Sequence, residues 1–164
     1  MNQILVAGGS GIIGSFLKQT FGTENFTFFN SQDCNLISND SIKFFFTHSV
    51  QFDILIYLVG LAHRKGKNSD LKEFNNINYH TLVKLLSYLS KNNKVPDKII
   101  FASTISVYGE EYNQSIYTED SEKKPFSPYA VTKLQAEQYL LDNFGSKAWI
   151  LRFAPVYSSD FLLN

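Results

Sequence analysis

The stretch that decides the fold is ILVAGGSGIIG, at residues 4–14. Its apolar start stops at glycines, as expected of a strand buried on both faces of a parallel sheet. Gly8, Gly11 and Gly14 then follow at three-residue spacing as a helix begins. One glycine permits a tight turn, the next admits a pyrophosphate close to backbone N–H groups, and the third lets the helix pack on the sheet. The stretch predicts a strand, turn and helix that bind a dinucleotide at the helix N-terminus.

The rest of the chain repeats this alternation of short apolar runs and longer amphipathic segments. The predicted strands are Gln3–Ala7, Phe26–Phe29, Ile54–Val59, Lys98–Ser103 and Ala148–Phe153. The predicted helices are Gly11–Phe21, Asn39–His48, Leu71–Lys91 and Pro128–Asn143. Crossover connections between parallel strands are right-handed and cover both faces of a sheet. The pattern therefore predicts an α/β fold with a doubly wound parallel sheet, as one domain over residues 1–164.

Composition excludes several classes of protein. The chain has 164 residues, 44% of them hydrophobic, and 15 Lys and Arg balance 15 Asp and Glu. Because these charges balance, the chain has no net positive charge that would attract nucleic acid or an anionic membrane. No apolar run approaches the roughly 18 residues that span a bilayer. Cys34 is the single cysteine, so we expect a buried thiol and no metal site. We expect a cytoplasmic protein without nucleic-acid or membrane partners.

A second motif, FSPYAVTK at residues 126–133, points to acid-base chemistry. Ser127 and Pro128 are typical of the N-cap and first position of a helix, which places Tyr129 and Lys133 on one face. A phenol with a pKa near ~10 transfers protons poorly at neutral pH unless a nearby cation stabilises its phenolate. Lys133 can supply that charge, although such a pair by itself is usually a surface tyrosine and a solvated lysine.

Residues 101–109, FASTISVYG, favour a catalytic role for Tyr129 and Lys133 over the surface alternative. The apolar run ends in Ser103 and Thr104 at the carboxyl edge of the sheet, where ligands of such folds bind. Together with TEDSEKKPFSPYAVTK, ILIYLVG, LRFAPVY and the glycine turn, this segment resembles the extended short-chain dehydrogenases/reductases of the NAD-dependent epimerase/dehydratase family. The resemblance covers nearly the whole chain, with Ala7 in place of the family's usual threonine.

The resemblance implies a role for each matched position. Thr104 would hydrogen-bond the reacting oxygen of a sugar, Tyr129 would transfer its proton, and Lys133 would also hold the nicotinamide ribose. The positions implied to bind the dinucleotide are Gly8, Gly11, Ile12, Ile13, Gly14, Asn30, Asn35, Leu36 and Leu58, with Tyr129 and Lys133. Asn75, Asn76 and Asn78 compete for the family's structural asparagine, so none is assigned.

The identity of the dinucleotide depends on the end of the second strand. An acidic residue there would bind the ribose hydroxyls of NAD, whereas an arginine would bind the 2′-phosphate of NADP. The strand ends instead at Asn30, which is neither acidic nor an arginine. In related enzymes an Asp-Leu or Asp-Ile pair lies against adenine, and the matching residues of this chain are Asn35 and Leu36. The expected cofactor is NAD or NADP, with NAD favoured, and the alternative for these positions is an ordinary polar loop.

The residues after Thr104 indicate which of the family's reactions this chain can support. The family's dehydratases have Asp-Glu there, but this chain has Ile105 and Ser106, which cannot carry the proton transfers of water elimination. The resemblance thus implies epimerisation or reduction at C4 of a nucleotide-linked sugar by hydride transfer. Family members continue beyond the position of Asn164 into a lobe that closes over the sugar nucleotide, and commonly dimerise through the Tyr/Lys helix. A non-catalytic NAD(P)-binding or interaction domain, or an inactive fragment, is the alternative.

Overall fold

The computed structural model describes residues 1–47, 51–61, 70–109 and 116–156. Within these ranges one sheet contains five parallel strands: β1 (Ile4–Ala7), β2 (Phe26–Phe29), β3 (Ile54–Tyr57), β4 (Lys98–Thr104) and β5 (Ala148–Phe153). Their order is β2-β1-β3-β4-β5. The chain winds outward from β1 to β2 and then returns past β1 to β3. The winding direction therefore reverses between β1 and β3, where open α/β sheets form a ligand crevice at their carboxyl edge.

Helices connect successive strands. They are α1 (Ile12–Phe21), α2 (Asn39–Thr47), α3 (Leu71–Asn75), α4 (Thr81–Lys91) and α5 (Pro128–Phe144). Short 3₁₀ turns cover Ile105–Tyr108 and Gly145–Lys147. Because the crossovers are right-handed and the winding reverses at β1, α1 lies on one face of the sheet and α2, α4 and α5 lie on the other. The prediction of a doubly wound α/β fold is confirmed.

The main core lies between the sheet and α2, α4 and α5. The apolar stripe of α4 is fully buried, and it consists of Leu82, Leu85, Leu86 and Leu89. These side chains pack in one cluster with strand residues such as Leu55, Tyr57 and Phe101. Cys34 joins the same cluster with 1% of its surface exposed, as expected for a small buried thiol. The core thus fixes the sheet against the helix that carries the Tyr/Lys pair.

The opposite face is covered by α1 next to β1 and β2. A Cβ atom at Gly14 would lie 2.6 Å from the carbonyl oxygen of Gly8 and 2.7 Å from Cα of Gly9, so only glycine permits this approach. Towards the other edge, Trp149 and Leu151 on β5 are 50% and 41% exposed. That side of the sheet therefore presents apolar surface beyond α1.

Two predicted elements are shorter or more irregular than the pattern indicates. β3 ends at Tyr57, two residues before the predicted end, because the chain turns after the Leu58 N–H bonds the Ala7 carbonyl at 2.9 Å. The predicted helix Leu71–Lys91 is interrupted by a π-helical segment, Asn76–His80, between α3 and α4. A π turn holds one extra residue, and this insertion turns Asn78 into the interior, where it is fully buried.

Candidate active site

The glycine turn after β1 requires glycine for different reasons at different positions. Gly8 has φ +89°, and its Cβ would lie 3.1 Å from the carbonyl carbon of Leu58, so both conformation and space exclude a side chain. Gly11 has φ −76°, and among the described residues its Cβ would approach only the Gly8 carbonyl oxygen, at an ordinary 3.4 Å. The packing of the chain does not demand glycine at position 11. A glycine there keeps the space outside the turn open, as a closely approaching pyrophosphate requires.

The N-terminus of α1 faces this open space. In the described part of the chain no side chain caps it, and its first turn carries no acidic residue. The amides of Ile12, Ile13 and Gly14 precede the first intrahelical bond, which runs from Ser15 N to Gly11 O at 2.8 Å. Uncapped amides and the positive end of the helix dipole together favour an anion at this position.

A carboxylate that the sequence analysis missed lies at the end of β2. The backbone N–H of Asn30 donates to Oδ2 of Asp33 at 2.9 Å, and the Asn30 side chain accepts from the Gln32 N–H at 2.7 Å. The strand end itself carries the uncharged Asn30, as the sequence analysis states, but the Asp33 carboxylate lies beside it. Asp33 lies 19 residues after Gly14, close to the usual spacing of about 20, but three residues past the strand end, and the tight turn from Asn30 to Cys34 brings it back there.

The next predicted pair, Asn35 and Leu36, divides between surface and core. Oδ1 of Asn35 accepts from the Ile37 N–H at 3.0 Å, so this exposed side chain shapes its own loop. Leu36 is 6% exposed and packs in the main core cluster. Within the pair, only Asn35 offers a side chain on the surface.

The N-terminus of α5 forms as the sequence predicts. Ser127 is the N-cap, its hydroxyl accepts from the Ala130 N–H at 3.3 Å, and Pro128 occupies the first turn. This start places Tyr129 and Lys133 on the same helical face, and both side chains reach the end of β4.

Tyr129 and Thr104 are brought together at the carboxyl end of β4. The Thr104 hydroxyl lies close enough to the Tyr129 phenol to favour its deprotonated form, and it lies 3.2 Å from Oγ and from the backbone nitrogen of Ser106. Burial raises the pKa of Tyr129, and the nearby Thr104 hydroxyl only partly opposes this effect. The phenol is therefore protonated at neutral pH and can act as a proton donor.

Lys133 is buried beside this pair, with 3% of its surface exposed. Its Nζ donates to the carbonyl oxygen of Ala102 at 2.8 Å and lies 4.6 Å from the centre of the Phe101 ring. Burial lowers the pKa of Lys133 to about 8, and the negative charge of Glu137 opposes this shift. The expected lowering of the Tyr129 pKa by Lys133 is not seen in this structure, because desolvation of the phenol dominates and the ammonium is directed at Ala102.

Asn78 is the polar residue that sequence analysis left unassigned and that the structure places at the site. Its Oδ1 accepts from the Leu61 N–H at 2.6 Å, and its Nδ2 donates to the Thr132 hydroxyl at 3.2 Å. A Cβ at Gly60 would lie 3.1 Å from Nζ of Lys133. Asn78 thus ties the turn after β3 to α5 next to Lys133, and only the π-helical geometry distinguishes it from Asn75 and Asn76.

Neither a metal centre nor a membrane-spanning helix is found in the described ranges. They contain no group of three or more His, Cys, Asp or Glu side chains arranged to hold a metal ion. None of their helices combines the length and apolar character needed to cross a bilayer. The organised polar groups described above lie instead along the carboxyl edge of the sheet.

The family model described as the NAD dependent epimerase/dehydratase family matches residues 4–161. The chain belongs to this family. The resemblance seen in the sequence is therefore confirmed, and with it the expectation of a nicotinamide dinucleotide as the cofactor of the family. Solved structures with this fold are complexed with NADPH, NADP or NAD.

Individual relatives agree with the family assignment. An uncharacterized UDP-glucose epimerase of Bacillus subtilis (strain 168) is 46% identical over 61 residues, which cover 35% of this chain and 19% of that protein. The structure resembles a dTDP-4-dehydrorhamnose reductase from Clostridium acetobutylicum, with a TM-score of 0.77 and 22% identity over 96% of this chain and 55% of that chain. L-threonine dehydrogenase from Phytophthora infestans gives a TM-score of 0.78 at the same identity and coverage. The epimerase/dehydratase chain described here thus spans about half the length of the solved structures it matches.

The buried ammonium predicts an unusual dependence of stability on pH. Because the pKa of Lys133 falls from 10.5 to about 8 on folding, the unfolded chain binds the extra proton between these values, and the contribution of Lys133 to stability rises with pH across this window. Between pH 7.5 and 10, the free energy of unfolding should increase in the parent chain relative to Lys133→Met by on the order of 2 kcal/mol. Urea unfolding of both chains across this range measures the difference. Lys91→Met, at an exposed lysine, is the control, and a pH-independent difference for Lys133→Met would contradict the prediction.

Proposed function

We propose that this chain carries the dinucleotide-binding and proton-transfer groups of an enzyme that uses NAD(P) at C4 of a nucleotide-linked sugar. One observation carries the proposal. The side chains of Thr104 and Tyr129, with buried Lys133 beside them, lie at the same carboxyl edge of the sheet as the open glycine turn. A dinucleotide stretched along that edge would have its pyrophosphate at α1 and its nicotinamide near Tyr129.

The residues present fit such a dinucleotide. The turn from Gly8 to Gly14 would hold the pyrophosphate, Asn30 and Asp33 would border the adenosine ribose, and Lys133 would hold the nicotinamide ribose. The absent side chain at Gly11 is the observation that favours a ligand over a purely structural turn, since the described neighbours leave room for a Cβ. When bound, the nicotinamide supplies the acceptor or donor of the hydride.

The chain's own residues then manage the proton. Tyr129 is protonated at neutral pH, so it can donate a proton to the C4 oxygen as a carbonyl is reduced, and it must take one back when the alcohol is oxidised. Thr104 would fix the position of that oxygen through its hydroxyl. Lys133 would serve the reaction by holding the nicotinamide ribose, since its ammonium is directed at the Ala102 carbonyl oxygen and does not lower the pKa of Tyr129 in this structure.

The residues after Thr104 argue for simple hydride transfer at C4. Ile105 and Ser106 lie in the 3₁₀ turn that follows β4, and the Ser106 hydroxyl lies 3.2 Å from that of Thr104. Neither side chain is a carboxylate able to move the protons of a dehydration. We therefore infer epimerisation or reduction at C4 in preference to 4,6-elimination.

The fold alone leaves the substrate open, because a threonine dehydrogenase and a deoxysugar reductase resemble it equally well. The proposal of a nucleotide sugar rests on the family match and on the local similarity to a UDP-glucose epimerase. NAD is the proposed dinucleotide because the exposed Asp33 carboxylate at the end of β2 would repel a 2′-phosphate.

Dinucleotide binding is tested by calorimetric titration of the 164-residue chain with NAD and, separately, with NADP. We expect saturable binding that Gly11→Val weakens at least about tenfold, which corresponds to about 1.4 kcal/mol, because the side chain fills the space of the pyrophosphate. The substitution should cost at most about 1 kcal/mol of stability at this N-cap position. Thr23→Val, at an exposed position just past the far end of α1, is the control. Equal dinucleotide affinity in the parent chain and in Gly11→Val would show that the glycine turn does not bind the pyrophosphate.

The cofactor preference predicts the effect of Asp33→Asn. Removing the carboxylate while keeping its shape should lower the ratio of the NADP to the NAD dissociation constant by about tenfold, since one nearby charge repels a 2′-phosphate by about 1–2 kcal/mol at the surface. Asp120→Asn, at an exposed turn, should leave the ratio unchanged. Titrations at low ionic strength measure the effect, and an unchanged ratio in Asp33→Asn would show that this carboxylate does not face the ribose.

The acid-base role predicts a split between binding and turnover in Tyr129→Phe. Dinucleotide affinity should stay within about twofold of the parent, while hydride transfer between UDP-glucose and NAD, followed by the fluorescence of reduced nicotinamide, should fall by at least ~100-fold. L-threonine in place of the sugar nucleotide tests the other substrate class of this fold. If the parent chain binds dinucleotide but transfers no hydride from either substrate, the non-catalytic binding domain is the better description.

A further inference from the structure

The residue behind the proposed catalytic pair is Glu137, one helical turn beyond Lys133 on α5 and only 1% exposed. Burying a carboxylate is costly unless it is paired and hydrogen-bonded. Well-packed apolar side chains often replace a buried ion pair with no loss of stability. A buried glutamate next to the site therefore needs an explanation beyond packing.

Glu137 is held by two neighbouring strands. The Ser103 hydroxyl on β4 donates to its Oε1 in a short hydrogen bond. From β5, Arg152 donates through Nη2 to Oε2 at 2.7 Å and through Nε to Oε1 and Oε2 at 3.1 and 3.2 Å. Arg152 is itself held by the Tyr108 hydroxyl at 2.6 Å and the Glu119 carbonyl oxygen at 3.2 Å. The carboxylate oxygens of Glu137 are thus satisfied by a bidentate guanidinium and a hydroxyl.

These contacts form part of a regular arrangement between α5 and β4. Three α5 side chains at four-residue spacing contact three consecutive residues of the strand end. Lys133 binds the Ala102 carbonyl oxygen, Glu137 binds the Ser103 hydroxyl, and the Tyr129 phenol lies near the Thr104 hydroxyl. Glu137 thus holds the strand residue that lies between the contacts of the other two.

Glu137 is also the negative charge nearest to Lys133 along the helix face. The titratable groups one turn to either side of Lys133 on α5 are Tyr129 and Glu137, and Arg152 and Tyr108 are linked to them through the bonds of Arg152 to Glu137 and to the Tyr108 hydroxyl. From β4 and the π-helical segment the facing groups are the uncharged Ala102, Phe101 and Asn78. Among the charged groups of this set, Glu137 is the one whose negative charge favours the charged ammonium, against the desolvation that disfavours it.

We propose that Glu137 is a positioning residue for the Tyr129–Lys133 pair, whose carboxylate both anchors Ser103 and keeps the buried ammonium of Lys133 charged at neutral pH. Arg152 serves this role indirectly by holding the Glu137 carboxylate in place. The inference rests on the proposed function of Lys133, but its test requires no dinucleotide, so failure of cofactor binding and failure of this inference are separate results.

The experiment is an NMR titration of the full 164-residue chain carrying labelled lysine side chains, with the Lys133 resonance assigned by its loss in Lys133→Met. In Glu137→Gln, which keeps the shape and hydrogen-bonding oxygen, the titration midpoint of Lys133 should move down by about 0.5 to 1 pH unit. A midpoint that stays in place while the chain loses stability would overturn the proposal, because a purely structural glutamate predicts that result.

Two further variants complete the test. Ser103→Ala removes the hydroxyl that contacts Glu137 without changing a charge, so the titration midpoint of Lys133 should stay in place. A shift as large as in Glu137→Gln would show that the position of Glu137, and not its charge, sets the midpoint. Arg152→Gln removes the positive charge that offsets the Glu137 carboxylate, so the titration midpoint of Lys133 should rise. This variant can be measured even if Glu137→Gln does not fold. An unchanged or lowered midpoint in Arg152→Gln would count against the proposal.

Discussion

The docking of α5 on the end of β4 is the constraint on which the rest of the site depends. Tyr129, Lys133 and Glu137 project from one face of the helix and contact three consecutive residues of the strand. Because these contacts are polar and lie under the surface, a shift of the helix by one residue would leave several buried groups without partners. The cost of such unsatisfied groups fixes the register of the helix against the strand far more strictly than apolar packing would.

The same burial sets the chemistry of the pair. Desolvation raises the pKa of Tyr129 and lowers that of Lys133, so both groups are driven towards their neutral forms. Glu137 and the hydroxyl of Thr104 oppose these shifts. The protonation states of the site therefore result from a balance between a dry environment, which favours neutral groups, and a few directed contacts, which favour charged ones.

The two ends of the proposed dinucleotide site are organised by different forces. At α1, backbone geometry dominates: glycine permits the turn, the close approach of the helix and the open space for an anion. At α5, side-chain charges and hydrogen bonds dominate. Between them, Asn78 and Gly60 join the turn after β3 to Lys133, so the two ends lie on one continuous, hydrogen-bonded sheet edge.

The sequence by itself determined the alternation of strands and helices, the glycine turn, the cap at Ser127 and the placement of Tyr129 and Lys133 on one face, because all of these follow from local periodicity and spacing. Only the tertiary structure decided that a π-helical segment selects Asn78, that a turn returns Asp33 to the end of β2, and that Arg152 from β5 pairs with Glu137 beneath the site. These features join residues from separate elements, and the partners of a buried polar group depend on how strands and helices pack, which no single stretch of chain specifies.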